Sequence, residues 1–170
     1  MPRLFTAVLV LAALAPRAAG ADPNRDATKL VRDWLRAMHD QKPDDAMADV
    51  TMPFVFDGDE IAKPSDLRKK LAAELRALDG GAANAFHDPQ WAVGDASVDV
   101  VAPDSPTEGC TLTRERVAAM PAGHIFVRVR ITEPTSSTSW AHYCFMFAAA
   151  PGAHGPLLDL FVHGATALAN

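Results

Sequence analysis

Basic charge, cysteine and tyrosine are all scarce in this chain of 170 residues, and each scarcity removes a class of function. Lys and Arg number 16 against 21 Asp and Glu, giving a formal charge of −5, and they form no cluster. A nucleic-acid-binding face needs a basic stripe, so nucleic acid is excluded as a partner. Only Cys110 and Cys144 carry thiols, and neither belongs to a Cys-x-x-Cys unit, the spacing that marks zinc ribbons and redox motifs. The histidines, His39, His87, His124, His142, His154 and His163, include no His-Glu-x-x-His and no close pair on one helix face; nothing indicates a metal site. Asp57-Gly58-Asp59-Glu60 opens like a calcium loop, but Ile61 and Ala62 stand where that loop requires glycine, so a solvated turn is expected. Gly-x-Ser-x-Gly is absent, and Ser136, Ser137 and Ser139 fall in a polar turn. Gly80-Gly81 reads as a helix stop rather than a phosphate-cradling loop, and no cofactor is implied.

Long apolar runs are missing as well, except at the start. Arg3 supplies a positive beginning, Leu4 to Ala15 is an apolar run without charge, and Ala19-Gly20-Ala21 offers a small-x-small cleavage pattern. This is the tripartite plan of a secretory signal. Pro16 and Arg17 cut the run well short of the roughly 20 apolar residues that a membrane span needs. Residues 1–21 are therefore expected to be a signal peptide cleaved near Ala21, leaving a mature domain of residues 22–170 with no membrane span, exported to the periplasm or the medium. Losing Arg3 and Arg17 takes the formal charge from −5 to −7. In an oxidising compartment an even pair of cysteines is more often a disulfide than a catalytic pair. A Cys110–Cys144 bridge would contribute about 3 to 4 kcal/mol by the chain-entropy estimate; the competing reading is two buried thiols.

Hydrophobic periodicity organises the mature chain. Leu30, Val31, Trp34, Leu35 and Met38 form one stripe of an amphipathic helix between Asp22 and Gln41. Pro43 is expected to stop it, with Asp44 or Asp45 capping a short helix that carries Ala46, Met47 and Val50. Pro53 to Phe56 reads as a strand ending in the Asp57-Gly58-Asp59 turn. Ser65 opens a third helix through Leu67, Leu71, Leu75 and Leu78. Trp91 to Val93 and Ser97 to Val101 look like strand material, Pro103 to Gly109 like a loop, and Thr113 to Met120 like a helical turn. Three strands follow: Ile125 to Ile131, Trp140 to Phe147 and Leu157 to His163. In the first, Ile125, Val127, Val129 and Ile131 mark a buried face; in the last, Leu158, Leu160 and Val162 oppose Asp159, Phe161 and His163. Helices first and an antiparallel sheet after make a single α+β domain.

The stretch Leu30 to Met38, the Pro-Asp-Asp turn, Ala46-Met47-Ala48-Asp49 and the strand from Pro53 to Gly58 resemble the opening helix, second helix and first strand of the nuclear transport factor two-like superfamily, also called SnoaL-like. The resemblance covers nearly the whole mature chain. It implies a curved, mixed or antiparallel sheet wrapped around the N-terminal helices as a cone, and a homodimer through the sheet face. Members include isomerase-like enzymes, cyclases and dehydratases, together with binding domains that catalyse nothing, so fold alone does not fix function. The isomerase-like members place a carboxylate base after the first strand, where Asp57 falls, and a tyrosine on the first helix, where Trp34 stands instead. An indole donates only from its nitrogen, which leaves that acid–base set incomplete.

Other acid–base candidates lie in the late strands. His142 or His163 could meet Asp159 or Asp57 as a carboxylate–imidazole pair suited to proton transfer near neutral pH. The competing reading keeps the histidines on the surface, beside a cross-strand ion pair of Arg128 or Arg130 with Asp159. Trp34, Phe56 and Tyr143 are candidate ligand-lining residues, and each reads also as core. The leading expectation is an exported domain that binds a small apolar ligand or a partner protein without catalysis. The alternative is a cofactor-independent isomerase, cyclase or dehydratase working in an apolar pocket.

Overall fold

The computed structural model describes residues 22–78, 97–102, 120–134 and 139–169. The first helix, α1 (Pro23–His39), starts where Asp22 accepts a hydrogen bond from the Asn24 amide at 3.0 Å and Pro23 supplies a preset φ. Its stripe of Ala27, Val31, Trp34, Leu35 and Met38 is buried, as the periodicity predicts, and Leu30 is half-buried. The helix ends at His39, four residues before Pro43. Gln41 turns left-handed (φ 57°), its amide bonds to Met38 O at 3.1 Å, and the Lys42 amide bonds to Ala37 O at 2.8 Å. That pair of bonds is a Schellman closure with glutamine where glycine is usual.

Pro43 then opens α2 (Pro43–Ala48) rather than merely ending α1. Lys42 takes the cap position and makes no side-chain cap bond. Asp44 and Asp45, expected as caps, lie in the first turn, where their charge suits the helix dipole. Val50, expected in this helix, begins β1 (Val50–Phe56). The expected turn closes a hairpin whose second strand the sequence does not announce: Phe56 pairs with Asp59 in β2 (Asp59–Ile61), across a loop of Asp57 and Gly58 with φ of 51° and 98°. Two positive φ values in a two-residue loop match the strand twist, and Gly58 adopts its value without a Cβ clash. Helix α3 (Pro64–Leu78) buries Leu67, Leu71 and Leu75.

The remaining strands are β3 (Ser97–Val101), β4 (Ile125–Pro134), β5 (Ser139–Ala150) and β6 (Leu157–Ala169). They join β1 and β2 in one six-stranded sheet of order β2-β1-β6-β5-β4-β3. Only β1 and β6 run parallel, so the sheet is mixed and the last strand sits beside the first long one. The architecture is α+β, helices followed by sheet. Residues 1–21, together with Trp91 to Val93, Pro103 to Gly109 and residues 113–119, lie outside the described residues.

Strand alternation divides the apolar residues between two clusters. Val127 and Val129 of β4, with Phe145 and Phe147 of β5, pack with α1, Phe54, Phe56 and the α3 leucines, and Ile125 packs against them. Phe126, Cys144, Met146, Ala148 and Leu160 form the second cluster. The simple alternation expected along β6 fails. Ala149 pairs with Leu158 but Ala148 pairs with Leu160, so Asp159 is the extra residue of a β-bulge. The bulge shifts the phase by one residue: Leu158 and Phe161 both join the helix-side cluster, while Leu160 joins the second.

Candidate functional site

The bulge gives Asp159 a position that a regular strand would not. Its carboxylate meets His124, the residue just before β4, with Oδ2 2.5 Å from Nε2. The other ring nitrogen, Nδ1, lies 2.6 Å from the carbonyl oxygen of Pro121. The His124 side chain is 4% exposed and that of Asp159 17%. Asp159 Oδ1 is buried and has no hydrogen-bond partner among the described residues. Burial pushes the Asp159 carboxyl above the ordinary carboxylate range, and the hydrogen bond to His124 opposes that push.

A backbone carbonyl only accepts, so a proton on Nδ1 is donated to Pro121 and a proton on Nε2 is donated to Oδ2. With both ring nitrogens committed, the pair is built first as a link between the Pro121–Gly123 turn and the sheet. The same turn has Gly123 at φ 97°, with Pro151 packed near its Cα.

The structure thus gives the Asp159 carboxylate His124 as its partner. His142 and His163 are placed only by strand register, opposite Thr166 or Thr132 and Phe145 respectively, and their side chains lie outside what is described. The same holds for Tyr143, opposite Ile131 and Ala165. His124 was not singled out from the sequence. The available signal was indirect: one carboxylate, Asp159, inside the apolar run Leu157 to Val162, which implies a buried partner.

Asp57 occupies the tip of the β1–β2 hairpin, exposed, and its amide donates to Phe161 O at 2.9 Å. The expected ion pair of Arg128 or Arg130 with Asp159 is replaced by one with Asp99. Register sets Asp99 opposite Arg128 and Ser97 opposite Arg130. Asp99 Oδ2 accepts from Ser97 Oγ at 2.7 Å and from Arg130 Nη2 at 3.1 Å, with Arg128 Nη2 3.8 Å away. The serine bond, then the arginines, hold the Asp99 carboxyl below its usual range despite some desolvation.

Trp34 and Phe56 lie inside the helix-side cluster, fully buried. Phe161 is the hub: its ring centroid is 5.4 Å from Trp34, 4.9 Å from Phe56, 5.1 Å from Phe147 and 5.8 Å from Phe145. Trp34 also meets Phe147 edge-on at 5.4 Å. These are contact distances for aromatic rings. Cys144 is buried in the second cluster, and Cys110 lies outside the described residues. Among the described residues no group of three or more His, Cys, Asp or Glu side chains could hold a metal ion, and no helix is long and apolar enough to cross a membrane. A scan against protein-family models finds no match, and no curated protein matches the chain.

Proposed function

We propose that the chain is an exported binding domain of the nuclear transport factor two-like kind, cleaved near Ala21, which holds an apolar small molecule or a partner protein and catalyses no reaction. The observation that carries this reading is the chemistry of the interior. The helix-side cluster is wholly apolar and gathers six aromatic side chains, Trp34, Phe54, Phe56, Phe145, Phe147 and Phe161. Side chains of this kind associate with apolar surface, and the cluster brings no proton-moving group of its own. The order of elements and the parallel pairing of β1 with β6 support the cone-shaped arrangement. The same reading pairs Cys110 with Cys144, supported by the absence of a free cysteine among the described residues.

A second reading, an isomerase, cyclase or dehydratase acting by acid–base chemistry, draws on the Asp159 carboxyl, buried beside an imidazole and tilted toward its protonated form. One experiment separates the two. The mature protein is melted with a panel of apolar small molecules, and each is recovered afterwards for chemical analysis. A ligand that binds only the folded chain raises the melting temperature with concentration, by about 2.7 kcal/mol of stability at a hundred times its dissociation constant. The binding reading expects that rise with the molecule recovered unchanged. A molecule recovered rearranged or dehydrated favours the enzyme.

A further inference from the structure

We propose that the face of the sheet turned away from the helices is an interface already filled from within the chain: residues 103–119 lie across it, pinned by a Cys110–Cys144 bridge, and leave it unavailable to a second copy. The proposal rests on the cysteine pairing of the reading above. Its starting point is an apolar face that is buried with no described element over it. Phe126, Cys144, Met146, Ala148 and Leu160 form its cluster. No described helix contributes, since the buried residues of α1, α2 and α3 all belong to the other cluster. Yet Met146 is 2% exposed and Leu160 1%. A sheet face open to solvent would leave a methionine largely in water, so another part of the chain shields it.

The ends of the segment select it. Val101, the last residue of β3, and Met120, which follows the segment, both pack against this cluster. The chain therefore leaves from the face and returns to it. Register sets Val101 opposite Phe126, and Cys144 opposite Arg130, four residues further along β4, or about 13 Å at the rise of a strand. Nine positions separate Val101 from Cys110 and ten separate Cys110 from Met120, each enough to span up to about 30 Å. The bridge thus demands no stretched chain. No free cysteine is present among the described residues, and Cys110 is the one other cysteine of the sequence.

The composition of the segment fits this seat. Pro103 to Gly109 is polar, whereas Leu112, Val117, Ala118 and Ala119 come after Cys110, with Arg114-Glu115-Arg116 between them. Its apolar side chains thus fall between the cysteine and Met120, the two points held at the face. The returning end is anchored independently, because the His124 ring contacts both the Pro121 carbonyl oxygen and the Asp159 carboxylate of β6. Residues 79–96 fit less well, since they leave from α3, whose leucines pack in the helix-side cluster. With the face filled in this way, the homodimer through the sheet that the resemblance implies does not form there.

NMR of the oxidised mature protein, labelled at the methyl groups of Met, Leu and Val, tests the seat. Side chains in contact, within about 4.5 Å, exchange magnetisation, so Met146 and Leu160 should show cross-peaks to Leu112 or Val117. A mixture of labelled and unlabelled protein separates contacts within one chain from contacts between copies. Cross-peaks within one chain support the proposal. Cross-peaks only to another part of the chain, such as residues 79–96, only to a second copy, or to nothing beyond the sheet overturn it. Thiol titration of the same sample keeps this result apart from the pairing on which it rests. Two titratable thiols with the cross-peaks present overturn the bridge and leave the seat standing, whereas a bridged protein without the cross-peaks overturns the seat.

Discussion

Phe161 links the first helix to three strands of the sheet, touching Trp34, Phe56, Phe145 and Phe147. Phe161→Ala removes all four ring contacts and leaves a cavity between two strands and a helix. The expected loss is about 3 to 5 kcal/mol, seen as a lower denaturant midpoint with an unchanged slope. A loss below about 1 kcal/mol would mean the cluster collapses freely around the gap. Much of this packing is legible in the sequence, because Trp34 lies on the apolar stripe of α1 and Phe145 and Phe147 alternate along β5. The facing of Phe161 is not legible. Plain alternation sets it opposite Leu158, and only the bulge at Asp159 brings both to the same side. The His124–Asp159 contact is hidden for the same reason, since a bulge is a property of two paired strands and leaves no periodic trace in either one. The arginine partners follow the same lesson: Arg128 and Arg130 announce a charged face, and only the register of β3 selects Asp99 over Asp159.

At the scale of elements, the turn between β5 and β6 leads directly into the bulge at Asp159. Its close approach occurs at Gly152, where an added Cβ would lie 2.3 Å from the carbonyl oxygen of Gly155. That neighbour is backbone, so Gly152→Ala must move the turn itself. The expected cost is about 1 to 3 kcal/mol, measured as a fall in melting temperature. A variant that melts like the wild type would mean the turn shifts without strain. Among the elements, the three helices and the long strands declare themselves through period and punctuation. The hairpin strand β2 does not, because three residues, exposed Asp59 and Glu60 and half-buried Ile61, carry no alternation long enough to read. The stop of α1 is hidden for a related reason: proline is the visible breaker, whereas the actual closure is the left-handed Gln41, which no propensity favours.

For the whole molecule, α+β order is legible because helix-period and strand-period segments are separated along the chain. The sheet order is less so: the parallel pairing of β1 with β6 joins segments about a hundred residues apart through backbone bonds that sequence patterns do not encode. The proposed Cys110–Cys144 bridge also acts at this scale, by restricting the unfolded chain. Reduction should remove about 3 to 4 kcal/mol of stability, lowering the melting temperature of the oxidised protein. An unchanged melt together with two titratable thiols contradicts the bridge. The central claim is that an apolar interior exists to hold another molecule. Native mass spectrometry of the mature protein, purified from the medium or periplasm, tests it most directly. The account predicts a processed chain beginning near Asp22 that carries a stoichiometric apolar molecule or partner. The bare mass of the processed chain, with neither bound, would contradict it.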